Sequence, residues 1–311
     1  MTAHYQNKIV IVGATGFVGK SLEAAWRESG SKVYSLSRQE LDLLDSQSVE
    51  DLFLSLDFDV VIHCAAVGGS RLTGYDAERP DVVEHNLRLF FNVARCLRSR
   101  QRLIYLGSGA EYDRRHYIPK MSESFYDRHV PADAYGFAKY TISQYIARHD
   151  NMLCLRIFGL YGPYEDYRYK FISNAIVKAM LGMPIKIMQN VVFDYLYIKD
   201  FVCLIERLLS CDWPYRHMNI TPTESSDLLT IAGIVNQTVS NHAEIEVINP
   251  GLNTEYTGDN RRLQNVVGDY SFTALSTGIH ELTEYYRSVW NSLDLASVQR
   301  DPFIERCIIR K

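Results

Sequence analysis

"KIVIVGATGFVG", residues 8–19, is the stretch on which the fold turns. After Lys8 the run Ile9–Val12 is entirely β-branched, the composition of a strand buried on both faces. Gly13, Gly16 and Gly19 follow at G-x-x-G-x-x-G spacing, one residue different from G-x-G-x-x-G. An amphipathic helix is predicted from Gly16 to about Ser29, with Leu22, Ala25 and Trp26 at helical spacing. Glycines at a strand-to-helix turn allow a tight reversal, a close main-chain approach to a ligand, and close packing of helix on strand. The helix N-terminus then presents free N–H groups and the positive end of its dipole to a pyrophosphate. Thr15, Phe17 and Val18 complete the candidate phosphate loop. The competing reading is a glycine turn with no ligand; the strand before it and the helix after it argue against that.

The same alternation continues outward. Strands are predicted at Lys32–Ser37, Asp59–His63, Leu103–Leu106 and Met152–Ile157, and helices at Pro80 to about Arg98 and Ala134–His149. Uniformly apolar strands alternating with helices imply an α/β fold with a parallel sheet covered on both faces. After Pro163 the pattern loosens. Helices at Ile172–Leu181, Asp200–Leu209, Leu228–Ser240 and Thr273–Val289 alternate with short strands near Ile185–Met188 and Met218–Ile220. A polar stretch separates the last two helices, and the final dozen residues carry little signal. The division expected is a sheet domain of residues 1–165 and 192–222, with a smaller interleaved unit of residues 166–191 and 223–311.

Composition narrows the function. Net charge is −4 with no block of like charges, which argues against a nucleic-acid partner. Apolar runs fall far short of the ~18–20 residues that span a bilayer, and the N-terminus carries no signal-peptide pattern. The six cysteines lack C-x-x-C spacing, and no H-x-x-x-H pair occurs among the nine histidines. Reduced, mostly buried thiols, no metal and a cytoplasmic location are the expectation.

Two further motifs carry chemistry. The second strand ends in Ser37 and Arg38, with no acidic residue before Glu40. An acid there would bind a ribose 2′-hydroxyl, whereas Arg38, with Ser37 as a second donor, suits a 2′-phosphate. This favours NADP(H) over NAD(H), against the alternative of a solvated surface arginine. "AYGFAK" places Tyr135 and Lys139 one helical turn apart on the same face. An ammonium at that distance is expected to lower the phenol pKa and suit Tyr135 to proton transfer. Ser108, in "YLGSGAEY" at the end of a strand, precedes them.

In this order the motifs resemble the extended short-chain dehydrogenase/reductase family, the nucleotide-sugar epimerases, dehydratases and reductases. "GATGFVG", "HCAA" (His63–Ala66), Asn86, Ser108, "YGFAK", "LRIFGLYGP" (Leu155–Pro163) and "FDYLYIKD" (Phe193–Asp200) carry the resemblance over nearly the whole chain. It implies a seven-stranded Rossmann domain, doubly wound, with an interleaved C-terminal α/β substrate domain. It also implies that Ser108 binds the substrate oxygen, that Tyr135 is the general acid/base, and that Lys139 holds the nicotinamide ribose. Ala65, Ala66 and Asn86 join the cofactor site. Dimers through helices about 80–98 and 134–149 are implied as well. "SRQELDLLDSQSVEDLF" (Ser37–Phe53) is similar to the segment after the second strand of GDP-fucose synthases and related 4-keto-sugar reductases, which would place Asp42 and Leu43 near the adenine.

Departures matter. The chain has Gly159 where many members carry a phosphate-binding Asn, and Phe193 where an arginine is frequent. Ala110 stands at the synthase cysteine position and Lys170 near the synthase histidine position. Gly109 and Ala110 replace the Asp-Glu pair of 4,6-dehydratases. Arg262 falls where a basic group often meets the nucleotide phosphate. With Ser108, Gly109, Ala110, Lys170 and Arg262 as the substrate set, the expected function is NADPH-dependent reduction of a nucleotide-linked 4-keto-6-deoxy sugar, with GDP-linked forms favoured. An NAD-dependent sugar-nucleotide 4-epimerase and a non-catalytic NADP-binding relative are the alternatives.

Overall fold

The computed structural model describes residues 8–28, 30–69, 80–305 and 307; Ser29, the expected end of the first helix, and the N-terminal residues lie outside these. The chain begins β1 (Ile9–Val12), α1 (Phe17–Glu28), β2 (Val33–Leu36), α2 (Ser46–Ser55) and β3 (Val60–His63). It continues with α3 (Val82–Ala94), β4 (Arg102–Ser108), α4 (Ala134–Ile146) and β5 (Met152–Ile157). Next come β6 (Leu160–Tyr161), α5 (Phe171–Met180), β7 (Ile185–Asn190), β8 (Val192–Phe193), β9 (Leu196–Tyr197), α6 (Ile198–Leu209) and β10 (His217–Ile220). The remainder is β11 (Ser226–Asp227), α7 (Leu228–Val239), β12 (Ile245–Leu252), α8 (Arg261–Val267), α9 (Leu275–Ser288), α10 (Leu295–Gln299) and α11 (Pro302–Glu305).

Six parallel strands form the main sheet in the order β10-β5-β4-β3-β1-β2. This is the Rossmann type of doubly wound sheet. The chain leaves β1 toward one edge and returns at β3 on the other side, so the connections diverge above β1 and β3. A crevice at the carboxyl ends of the strands is the consequence. The family resemblance implies seven strands, and the described residues supply six. Ser37–Asp45, between β2 and α2, is too short for another parallel crossover, which takes about a dozen residues or more. It instead turns directly into α2, an element the sequence reading passed over. Its signal was present: Asp45 caps it, accepting the N–H groups of Gln47 (3.1 Å) and Ser48 (3.3 Å), and Val49 and Phe53 face inward.

Strand residues alternate between two cores. Ile9, Ile11, Val60, Ile62, Leu153 and Leu155 face Leu22 and Trp26 of α1 and Phe201 and Leu204 of α6. Val10, Val12, Val61, Leu103 and Tyr105 face α2, α3 and α4 on the other side. The first core runs on without a break into Ile176 of α5, Ile187 of β7, Val235 of α7, Leu282 of α9 and Phe303 of α11. The irregular C-terminal half is therefore packed onto the sheet. β12, parallel to β7, lies in the stretch read as merely polar; it is largely exposed, so burial never imprinted a period on it. All six cysteines are free; Cys154 is fully buried, whereas Cys203 is exposed on α6, against the expectation of mostly buried thiols.

Phe90 sits at the centre of the second core, with ring centroids of Tyr105 at 5.2 Å and Phe91 at 5.3 Å. Phe90→Ala should cost about 3–5 kcal/mol by urea denaturation; a loss under about 1 kcal/mol would contradict this packing.

Candidate active site at the carboxyl ends of the strands

Gly13 ends β1 with φ +80°, and a Cβ there would fall 2.6 Å from the Ala65 nitrogen and 2.8 Å from its Cα. Only glycine lets the exit of β1 cross the exit of β3 this closely. A Cβ on Gly19 would lie 2.5 Å from the Gly13 oxygen and 2.7 Å from Ala14 Cα, so α1 packs against the loop without a side chain between them. Gly16 is different: its Cβ would meet only the Gly13 oxygen, at 3.4 Å. Thr15 and Gly16 are exposed, and Phe17 and Val18 half-buried, at the N-terminus of α1. This cradle, free of side chains at the head of a helix, fits a dinucleotide pyrophosphate.

Asn86 shapes the opposite wall. Its amide donates to Val67 O and Val82 O (both 2.7 Å), and its oxygen accepts the Val67 N–H (3.1 Å). Every arm is engaged, so Asn86 acts by fixing the loop that carries Ala65 and Ala66. That loop continues to Gly69, φ +70°, which lies so near Tyr135 that a Cβ would come 2.6 Å from the ring.

At the end of β2 the structure alters the expected picture. Arg38 is exposed. Ser37 is not a free donor: its N–H donates to the Glu40 carboxylate (2.8 Å), and so does its hydroxyl. A tight turn brings this carboxylate back three residues, so an acidic group does stand at the strand end. Asp42 is exposed and accepts the Leu44 N–H (3.0 Å), whereas the Leu43 side chain is buried in the core beneath α2 and α3.

The residues expected to react come together through α4. Asp133 caps this helix, accepting the Gly136 N–H at 2.8 Å. A Cβ on Gly136 would lie 2.7 Å from Ala110 O, so α4 seats directly on the turn after β4. Ser108 and Tyr135 are thereby brought near enough for the serine side chain to act on the phenol. Lys139 is buried, donates to Leu106 O at 2.7 Å, and has its Nζ 5.5 Å from the Tyr135 ring centroid.

The electrostatics differ from those expected of a Tyr-Lys pair. Burial raises the Tyr135 phenol above its ordinary value, and Tyr256 adds to the rise; Arg114 and Ser108 oppose it. Burial lowers Lys139 to about 8, opposed first by Glu111. Desolvation outweighs the pairing, so Tyr135 remains a protonated acid at neutral pH. Arg114, unremarked in the sequence, is the cation acting on it.

Of the expected substrate residues, Gly109 and Ala110 are buried, Gly109 beneath aromatic side chains. A Cβ on Gly109 would fall 2.7 Å from the Tyr256 hydroxyl and 2.9 Å from the Phe158 ring, and Tyr117 donates to Gly109 O at 2.8 Å. Tyr256 and Tyr117 escaped the sequence reading because no local spacing ties them to Ser108. Lys170 is exposed at the start of α5, where its charge acts on buried Glu165. Arg262 is turned elsewhere: it lies 3.9 Å from Glu123, its guanidinium 5.0 Å from the Tyr215 ring centroid, and it donates to His217 O at 3.5 Å. His217 is in register with Cys154 and Tyr105, whereas Ser108 is in register with Ile157 and Ile220. Arg262 is thus engaged at the His217 end of β10, away from the residue in register with Ser108.

A glycine cradle at the topological switch point, with Ser, Tyr and Lys beside it, defines a nicotinamide-dinucleotide-type oxidoreductase site. The model of the NAD dependent epimerase/dehydratase family matches residues 9–221, and the chain belongs to that family. It is 23% identical over 316 residues to a dTDP-4-dehydro-6-deoxy-D-allose reductase from Streptomyces, covering 90% of this chain and 96% of the relative. A GDP-L-fucose synthetase from Naegleria fowleri bound to NADP superposes with TM-score 0.81 at 14% identity, covering 94% of this chain and 96% of that one. A UDP-glucose 4-epimerase from Thermus thermophilus in complex with NAD gives 0.76 at 19%, covering 90% and 98%. No helix among the described residues is long and apolar enough to cross a membrane.

Gly13→Ala should cost about 1–3 kcal/mol of stability in urea melts, and Gly16→Ala clearly less. Equal costs would show that the β1–β3 crossing is looser than described.

Proposed function

We propose that the protein is an NADPH-dependent reductase of a nucleotide-diphosphate-linked 4-keto-6-deoxy sugar. Residues 166–191 and 223–311 supply the sugar-nucleotide side. The observation that carries the reading is the Ser108–Tyr135–Lys139 set beside the glycine cradle, with Tyr135 held protonated. A protonated phenol suits the reductive direction, in which an alkoxide must receive a proton. When bound at Gly13–Gly19, the dinucleotide supplies a hydride to the C4 carbonyl carbon. Ser108 donates a hydrogen bond to the carbonyl oxygen as charge builds there, and Tyr135 delivers the proton. The Lys139 ammonium stabilises the phenolate left behind. Gly109 and Ala110 bring no acid or base of the kind needed to abstract a proton at C5 and expel water. GDP-linked ketones are the first substrates to test, by the pattern of Ser37–Phe53, with dTDP-linked ketones beside them. A cytoplasmic homodimer through α3 and α4 belongs to the same proposal; it would cover Phe137, 40% exposed on α4.

Tyr135→Phe should lower kcat for ketone reduction by about 10²–10⁴-fold while the NADPH Kd stays within about threefold. Retained turnover in the variant, or failure of wild-type protein to oxidise NADPH with any GDP-, dTDP- or CDP-linked ketone, would overturn the reading.

One observation favours a second reading. The grip of Glu40 on Ser37 puts a carboxylate where a ribose 2′-hydroxyl would bind, as in an enzyme that retains NAD. An NAD-dependent 4-epimerase uses the same Ser, Tyr and Lys. Under the NADPH reading, Arg38→Ala weakens NADPH binding about tenfold or more and leaves NADH unchanged. Under the epimerase reading, it is Glu40→Gln that weakens NADH, and NAD is released when the purified protein is denatured. Fluorescence titration of both cofactors decides between them.

A further inference from the structure

Glu111 has 0% exposure, yet it is a carboxylate three residues after Ser108. One oxygen accepts the Ser108 N–H at 3.0 Å, while Ser108 Oγ accepts the Ala110 N–H at 3.1 Å. This reciprocal cap leaves the Ser108 hydroxyl proton available to donate. The other Glu111 oxygen accepts the Arg156 Nε–H at 2.6 Å. β4 carries a glycine where this carboxylate passes: a Cβ on Gly107 would collide with Glu111 Oε1 and Cys154 Sγ. The neighbouring carbonyl, Leu106 O, is the acceptor for Lys139. Carboxylate and ammonium thus approach the same strand at consecutive residues.

We propose that Glu111 is a positioning residue of the reacting set: its carboxylate orients Ser108 and is the counter-charge that keeps Lys139 an ammonium. This rests on the reading of Ser108, Tyr135 and Lys139 as the reacting groups. The bland alternative is an ion pair with Arg156 that only holds the fold.

The surroundings favour the first. The groups that raise Lys139 are Glu111, then Cys154 from β5 and Cys64 after β3. Burial pushes the Cys64 thiol up to about 12 and Cys154 higher still, so neither carries charge at neutral pH. His63 is lowered to about 4 by burial and is neutral too. Tyr105 offers its ring face, with Lys139 Nζ 4.4 Å from the centroid, and its phenol and that of Tyr135 are raised by burial. Glu111 is the carboxylate left to balance the ammonium. Arg156 has other holds, donating to Ser143 Oγ (3.1 Å) and the Tyr112 hydroxyl (3.2 Å) and stacking 3.9 Å over Tyr126. It does not depend on Glu111 alone.

The test reads Lys139 directly in the full chain with ¹³Cε-lysine labelling, the signal being assigned by its loss in Lys139→Met. Wild-type protein should titrate near 8. Glu111→Gln keeps an acceptor for Ser108 and removes the charge, so the Lys139 midpoint should fall by about one unit or more. With turnover in hand, the alkaline limb of kcat/KM for ketone reduction should move to lower pH by the same amount. A purely structural pair would lower the melting temperature and leave both midpoints in place, which overturns the inference. Should that variant fail to fold, Glu111→Gln with Arg156→Gln is compared with Arg156→Gln alone, so that the guanidinium is absent from both: a lower Lys139 midpoint in the double variant supports the inference, an equal one overturns it. The labelling arm needs no substrate. A moved midpoint without turnover of any keto sugar supports the coupling and sinks the reductase reading; an unmoved midpoint in an active reductase sinks the inference alone.

Discussion

At Gly13 the end of β1 passes the end of β3 with backbone against backbone, and a single added carbon would sit 2.6 Å from the Ala65 nitrogen. The order of the sheet places β1 beside β3, while the connections on either side of that boundary run in opposite directions. A crevice must open there, and the close crossing determines its shape. The head of α1, the Ala65–Gly69 loop held by Asn86, and the Tyr135 ring under Gly69 all border the same point. Any side chain at Gly13 would disturb all three.

Burial dominates the chemistry beside the crevice. It raises Tyr135 and lowers Lys139, and the neighbouring thiols and His63 are silenced in the same way. The polar groups that survive this environment are hydrogen-bonded into a chain. From Glu111 and Arg156 it passes to the Tyr112 hydroxyl, which donates to Asn219 Oδ1 at 2.6 Å. The Asn219 N–H donates to Glu123 (2.9 Å), and its amide donates to Met121 O (2.8 Å) and Asp259 O (2.9 Å). The turn bearing Ser108 is thus tied to β10 and to the segment that places Tyr256 over Gly109. A buried network of this kind is costly to leave half-satisfied, so sheet and aromatic cover are held in one arrangement.

What was legible followed from local rules. The glycine spacing, the apolar strands and the one-turn separation of Tyr135 and Lys139 each depend on neighbours in the chain, and the parallel sheet and the glycine turn at the end of β1 came out accordingly. Less legible were features set by long-range packing. The Glu40 carboxylate is an exception to that rule, folding back only three residues onto Ser37 in a local S-x-x-E turn. Arg262 is turned to Glu123 and Tyr215 by the docking of α8 against β10. β12 is exposed and carries no period. Nothing local marks the pairing of Glu111 with Arg156, which lies on another strand.

The sequence by itself determined the parallel sheet, the glycine cradle and the one-turn spacing of Tyr135 and Lys139, because periodicity and backbone sterics act over a few residues. The tertiary structure decided which charges those side chains feel. Desolvation and ion pairing depend on what is packed around a group, and that comes from strands and loops distant in the chain. The small residues Gly107, Gly109 and Gly136 show both sides of this division. Each is a plain glycine in the sequence; folded, they make room respectively for a carboxylate, an aromatic pair and a helix, and so shape the site.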